Sequence, residues 1–185
     1  MNKKILIGAG VLVVVGVVVF ALVFNMRPSA GPKASTPTPS PSTTVLPGDA
    51  NNATYLINGA YITFQNGKTS TGNISILSTP VSGDLDGDGV TDQGIILVQK
   101  TGTTSNYYVA AALGSTTGSR GTNGYLLANS SIVQNSMAIQ DGKIIENYSV
   151  PSAKGSSSTS TYVGLIGTFV VKGGILQPVD VKVAN

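Results

Sequence analysis

Short apolar or alternating runs, separated by glycine, fill the chain from residue 53 onward. Alternation of polar and apolar positions places one set of side chains on each face of an extended strand, and β-branched residues favour that conformation. No segment of this region has convincing helical periodicity. The pattern therefore predicts an all-β domain, built as a single small sandwich or partly open barrel of about ten short strands. The predicted strands are 55–57, 61–64, 73–77, 94–100, 107–113, 125–128, 136–140, 143–150, 162–171 and 175–183.

Three dipeptides between these runs are typical of tight hairpin turns. They are Asn58-Gly59, Asn66-Gly67 and Asp141-Gly142. Both residues of each pair tolerate a positive φ, which a two-residue hairpin loop requires. The dipeptides therefore predict antiparallel hairpins between neighbouring strands.

A different pattern occupies the amino terminus. Residues 5–24 form an apolar run of twenty residues that contains no charge and follows Lys3 and Lys4. A helix of that length spans about 30 Å, the thickness of a bilayer's hydrocarbon core. We expect an uncleaved, single-pass signal anchor, because the segment exceeds the about 7 to 15 apolar residues of a signal peptide. A cleaved peptide is the alternative. The lysines predict a cytoplasmic stub, residues 1–4, and an extracytoplasmic remainder at the cell membrane.

Residues 25–52 have the composition of a disordered linker rich in Pro, Ser and Thr. Six of the nine prolines fall between Pro28 and Asn52, and such a composition favours extended chain without a core. The linker would hold residues 53–185, the predicted extracytoplasmic β domain, away from the membrane.

Charge and missing residue types narrow the function. The net charge of +3 comes from Lys3, Lys4 and Arg27, because the chain from Pro28 onward has eight basic and eight acidic residues. That balance argues against a nucleic-acid partner, which needs a basic surface. The chain has no histidine and no cysteine, so it cannot assemble a Ser-His-Asp triad, a Cys-His pair or a histidine-ligated zinc site. We therefore predict no catalytic residue.

Four of the eight acidic residues are concentrated in G-D-L-D-G-D-G-V-T-D-Q, residues 83–93. Calcium takes six to eight oxygen ligands at about 2.3–2.6 Å, and a loop can supply them from positions 1, 3, 5, 7 and 9. Gly89 falls at position 6, where the chain must turn sharply. The predicted calcium ligands are the side chains of Asp84, Asp86, Asp88 and Asp92 and the backbone carbonyl of Val90.

Position 12 of this loop is Ile95, which cannot coordinate, so the loop differs from a helix-flanked EF-hand. The apolar run that follows predicts a buried strand instead of a helix. The D-x-D-x-D-G-x-x-D pattern resembles the calcium loops of dockerins and, more closely, those of integrin-type propeller repeats. We expect a structural Ca2+ of modest affinity. The alternative is an exposed Asp/Gly turn without an ion.

Five segments of the chain carry a further likeness, namely residues 53–59, 83–92, 106–113, 121–127 and 140–148. Together they resemble an uncharacterised bacterial exported domain that carries a G-D-L-[ND]-G-D-G loop followed by an apolar strand. Its members are tethered to the envelope by a signal anchor or a lipidated cysteine. The resemblance spans most of residues 53–180 and implies an envelope location, but no activity. This chain lacks the lipidated cysteine, which favours the transmembrane anchor.

We therefore expect a membrane-tethered extracytoplasmic binding or structural module that meets an envelope polymer or a partner protein. A carboxylate-dependent envelope hydrolase, acting on glycan or peptide, is the alternative, with Asp141 and Glu146 as its candidate acids. Asp141 is better explained by its hairpin turn, and Glu146, on a strand, by a solvated face. A sensor that signals through the anchor is disfavoured, because only four residues precede the membrane segment.

Overall fold

The computed structural model describes residues 44–152 and 161–184. Strands take up 63% of these residues and none of them lies in an α-helix, so the predicted all-β class is confirmed. The β-sheet structure curls into a half-barrel. A 3-10 turn covers Ala50–Asn52. The strands are β1 (Thr54–Ile57), β2 (Ala60–Gln65), β3 (Lys68–Thr69), β4 (Ile74–Ile76), β5 (Val81–Gly83), β6 (Asp92–Thr101), β7 (Thr104–Leu113), β8 (Arg120–Gly121), β9 (Tyr125–Ala128), β10 (Val133–Gln140), β11 (Lys143–Pro151), β12 (Tyr162–Lys172) and β13 (Ile175–Val183).

Each of the ten predicted runs overlaps one of these strands. The three additional strands, β3, β5 and β8, are only two or three residues long. Alternation cannot be recognised over so few positions, and these strands exist because a longer neighbour offers hydrogen bonds to pair with.

The predicted hairpin turns are also confirmed. The φ angles of Asn58, Asn66 and Asp141 are 50°, 51° and 50°, and the glycine that follows each of them also has a positive φ. They join β1 to β2, β2 to β3 and β10 to β11. Gly173 and Gly174, with φ of 59° and 79°, make an equivalent turn between β12 and β13.

The strands form three sheets in this part of the chain, and all the paired strands are antiparallel. One has the order β1-β2-β3, and another has the order β10-β11-β12-β13. The third contains β4-β6-β7-β8, with β5 added to β6 and β9 added to β7. The long pair β6–β7 runs in unbroken register from Gln93 opposite Ala112 to Thr101 opposite Thr104.

The β6–β7 hairpin carries a hydrophobic core on each of its two faces. Ile95 and Leu97 belong to one cluster, whereas Ile96 belongs to the other, as the period of two requires. The first cluster continues into β1 and β2 through Tyr55 and Phe64, whose rings meet edge to face at 5.7 Å. The second continues into the four-stranded sheet through Ile144, Phe169, Val171 and Leu176.

The composition predicted that the domain begins at residue 53. In the structure, the packed part of the chain begins earlier. Leu46 and Ser115 exchange two backbone hydrogen bonds of 3.0 Å, and the Gly48 N–H donates to the Thr91 carbonyl at 2.7 Å. Ala50 is fully buried in the first core cluster. Proline-rich composition did not reveal this, because the contacts are made by backbone groups and small side chains.

The predicted stub, residues 1–4, and the predicted anchor, residues 5–24, lie outside the described residues. So do residues 25–43 of the predicted linker. Within residues 44–152 and 161–184, no helix has the length and apolar character needed to cross a bilayer.

Candidate functional site

The aspartate loop is an excursion between two paired strands. β5 and β6 pair from Val81 opposite Gly94 to Gly83 opposite Asp92, so the two ends of the loop are fixed side by side. Leu85 turns inward and is 4% exposed. Gly87 and Gly89 have φ of 82° and 81°, which confirms the sharp turn predicted at Gly89 and is a conformation that favours glycine.

Three of the predicted ligands converge. Asp84, Asp86 and Asp88 each offer a carboxylate oxygen, and these three atoms lie within 4.8 Å of one another. Two oxygens that both contact an ion at about 2.4 Å can be at most about 4.8 Å apart, so the spacing fits a shared cation. The three aspartates could therefore hold a metal ion.

Hydrogen bonds within the loop fix these carboxylates. Asp84 accepts from the N–H groups of Gly87 at 2.8 Å and Gly89 at 3.0 Å, and Asp88 accepts from Val90 N–H at 2.8 Å. Desolvation raises the pKa of Asp86, and the charges of Asp88 and Asp84 raise it further, although a backbone hydrogen bond from Asp88 opposes the rise. A cation would relieve this repulsion.

Asp92 takes a different position from the other three aspartates. It is fully buried, and its carboxylate accepts from Leu85 N–H and from Gly114 N–H, each at 2.8 Å. Burial raises the pKa of Asp92, the two backbone hydrogen bonds lower it, and the charges of Asp86 and Asp88 raise it again. Asp92 therefore ties the loop to the end of β7, and among the described residues the oxygen cluster consists of Asp84, Asp86 and Asp88.

Val90 docks the second half of the loop. A side chain at Gly114 would lie 2.5 Å from Val90 Cγ1, so only the bare backbone of Gly114 allows this approach. The Val90 N–H donates to Asp88, whereas the predicted contribution of its carbonyl oxygen to a metal site stays a prediction.

An open cleft of about 460 Å³ borders the loop. Asp86 and Asp88 line this cleft, and so does Arg120, at the end of the segment that follows β7. The hydroxyl-bearing residues Ser115, Thr117 and Ser119 also line this cleft.

The prediction that Glu146 lies on a solvated face is wrong, because the side chain is completely buried. It faces the same side of β11 as Ile144 and Tyr148, which are also buried. Glu146 Oε2 accepts from Gln134 Nε2 at 3.4 Å, and Oε1 has no hydrogen-bond partner among the described residues. Burial raises the pKa of Glu146 to about 8, against a lowering effect of the Gln134 hydrogen bond. The polar residue Asn147, next to Glu146 in the sequence, gave no sign of this burial.

Comparison with known proteins adds no relative. Neither a scan against family models nor searches of curated proteins and of solved structures find a match to this chain.

We predict that Asp92→Ala lowers the free energy of unfolding by about 2–4 kcal/mol, because it leaves two buried N–H groups without an acceptor. Urea denaturation in the presence of a chelator measures this effect apart from any metal. Asp180→Ala is the control, because Asp180 is 55% exposed and its lysine contact at 3.9 Å is worth at most about 1 kcal/mol. An Asp92→Ala protein as stable as the Asp180→Ala protein would refute the assigned role.

We predict that Glu146 makes the fold less stable as the pH rises. Its pKa is about 8 when folded and 4.5 as a free group, so the folded state holds an extra proton between these values. Glu146 therefore contributes its full stabilisation below pH 4.5. As the pH rises from there towards 8, the free energy of unfolding falls by up to about 1.4 kcal/mol per pH unit. Glu146→Gln removes this dependence.

Denaturation of wild type and Glu146→Gln in parallel at pH 5, 6.5 and 8 isolates this effect from the other carboxylates. Relative to the variant, wild type should be least stable at pH 8. A constant difference between the two proteins across these pH values would contradict the assignment.

Proposed function

We propose that this chain is a membrane-tethered extracytoplasmic binding or structural module whose β domain is stabilised by Ca2+. The ion would be held by Asp84, Asp86 and Asp88, with the Val90 carbonyl as a further ligand. The observation that carries the proposal is the set of three carboxylate oxygens within 4.8 Å of one another.

The ligand chemistry favours calcium over other cations. A site made only of carboxylate and carbonyl oxygens suits hard cations, and the chain has no histidine or cysteine to attract softer metals. Magnesium demands near-ideal octahedral geometry, whereas calcium accepts an irregular loop. Asp92 is outside the cluster of three carboxylate oxygens, and position 12 is Ile95, so the protein supplies few ligands and water would complete the shell. An affinity in the extracellular range of about 10⁻⁴ to 10⁻³ M is therefore expected.

The role proposed for the ion is structural. Both ends of the loop join the central sheet through β5 and β6, so an ion that fixes the loop also fixes these strand ends. Calcium at ten times its Kd would add about 1.4 kcal/mol to the free energy of unfolding. For a domain of this size, that is a few degrees in Tm.

The tether is proposed from the sequence. Residues 5–24 would span the membrane with the amino terminus in the cytoplasm, and residues 25–43, with Pro, Ser and Thr in abundance, would separate the domain from the bilayer. The partner would be an envelope polymer or another protein. The described residues carry eight acidic and six basic side chains, which disfavours nucleic acid.

A carboxylate-dependent hydrolase is the weaker alternative. Its two candidate acids would have to lie about 5–9.5 Å apart across a bond in a cleft. Asp141 is exposed in a hairpin turn, whereas Glu146 is buried between sheets. The part of β11 from Lys143 to Glu146 already spans about 10 Å of extended strand, and Asp141 lies beyond Lys143 in the turn.

We predict that 10 mM Ca2+ raises the Tm of the purified chain by a few degrees over chelator-treated protein, and that Asp86→Asn and Asp88→Asn abolish the rise. Asp141→Asn is the matched control, because it removes the same charge from a turn that tolerates asparagine. Differential scanning calorimetry at constant ionic strength, with 10 mM Mg2+ as a second arm, measures the effect. A Tm unaffected by chelator, or an equal rise in Asp86→Asn, would refute the calcium site.

We predict that the full-length chain stays in the membrane fraction after alkaline carbonate extraction, and that the double variant Val14→Lys, Val18→Lys is released. Each lysine at the centre of a spanning helix costs about 2.5–3.5 kcal/mol. The matched control is Val14→Leu, Val18→Leu, which keeps the segment apolar. Release of the unaltered chain, or loss of residues 5–24 from the mature protein, would overturn the anchor.

A further inference from the structure

A second cleft lies where the three sheets approach one another, and it does not include the aspartate loop. Its volume is about 460 Å³, within the range of about 300–1,000 Å³ that small-molecule sites occupy. Three separate parts of the chain form its walls. They are the outer side of β1–β2, the segment from β8 to Asn123, and the glycine turn between β12 and β13.

Hydrogen bonds hold residues that line this cleft in place. Asn123 donates from Nδ2 to the Leu176 carbonyl at 3.1 Å and accepts from the Leu176 N–H at 2.8 Å, so its amide joins the four-stranded sheet. On its other side, Leu56 N–H donates to the Thr122 carbonyl at 3.1 Å. A side chain at Gly121 would lie 2.5 Å from the Thr54 carbonyl oxygen. The walls are therefore fixed before any ligand arrives, which lowers the entropic cost of binding.

Arg120 supplies a positive charge at the cleft. Its side chain is exposed, and the described residues give its guanidinium no ion pair or side-chain hydrogen bond. The guanidinium lies against Gly174, where any side chain would collide with it, so the glycine turn sets its position. A planar guanidinium with its donors free is suited to bidentate recognition of a carboxylate.

Tyr61 supplies an aromatic face. It is 78% exposed, and its cross-strand partner is Leu56, another residue of the same wall. The lining also includes Gly173 and Gly174, which have no side chains and so present backbone N–H and C=O groups. The cleft thus combines an apolar ring, hydrogen-bonding backbone and one cation.

We propose that this cleft binds a uronic acid unit of an acidic polysaccharide, with the sugar carboxylate on Arg120 and the sugar ring against Tyr61. A sugar acid matches all three features, because its ring has apolar C–H faces, its hydroxyls pair with backbone groups, and its carboxylate is planar. Arg120 is the one charged residue among those that line this cleft, which matches the single carboxylate of one sugar acid unit. A polyphosphate or nucleic acid carries a charge on every phosphate and needs a wider basic surface. The proposal names a ligand for the binding module proposed above, and it does not require calcium.

The test is isothermal titration calorimetry of the full-length chain in detergent with trigalacturonic acid, with neutral galactotriose as the uncharged ligand of equal length. Binding of the acidic trisaccharide should be at least about tenfold tighter. Arg120→Gln and Tyr61→Ala should each weaken it by about tenfold or more, and Tyr61→Phe, which keeps the ring, by about twofold. Lys143→Gln and Tyr162→Ala remove an exposed lysine and an exposed tyrosine elsewhere and should leave binding unchanged.

Several results would overturn this assignment. Equal binding of the neutral trisaccharide, undiminished binding by Arg120→Gln, or tighter binding of an aspartate-rich peptide would each refute a uronic acid site. Titration in chelator separates the two proposals. Arg120 borders both clefts, whereas Tyr61 borders only this one of the two. Uronate binding that persists in chelator and is lost in both Arg120→Gln and Tyr61→Ala therefore supports this cleft even where the Tm does not respond to Ca2+. Binding that disappears in chelator would assign the ligand to the aspartate loop and refute the cleft.

Discussion

The paired strands β6 and β7 are apolar on both faces, and water must be excluded from both at once. Ile95 and Leu97 point to one side, Ile96 and Val109 to the other, and all four are completely buried. Burying such side chains contributes about 1.5–3 kcal/mol each, so covering both faces of this hairpin stabilises the fold strongly. The three-stranded sheet covers one face and the four-stranded sheet covers the other. A single sandwich interface would leave one of these faces exposed.

Covering both faces brings the sheets together at the hairpin's edges, and polar groups there must be satisfied. Asp92 does this at one end, where it accepts from Leu85 and Gly114 N–H groups. Asn123 satisfies polar groups at another edge, where its side-chain amide pairs with the backbone N–H and C=O of Leu176. Both candidate binding regions adjoin these junctions, because a rigid edge between sheets leaves clefts and loops whose geometry is already fixed.

Five of the eight acidic side chains serve three different physical roles in this small domain. Asp84, Asp86 and Asp88 concentrate negative charge at the surface, where a cation would relieve it. Asp92 gives buried hydrogen-bond acceptors. Glu146 lies in the interior with a raised pKa of about 8 and therefore acts as a neutral acid near pH 7. Residue type alone does not separate these roles, since burial and the available N–H donors decide them.

The sequence by itself determined the all-β class, the long strands and the hairpins at Asn58, Asn66 and Asp141, because period-two patterning and positive φ are local properties. It also located the three converging aspartates, since ligand spacing within one loop is local too. Only the tertiary structure decided that Asp92 bonds to backbone, that Glu146 is buried and that Arg120 meets Tyr61 at one cleft. Those outcomes depend on which distant strands pack together, and no short stretch of sequence encodes that choice.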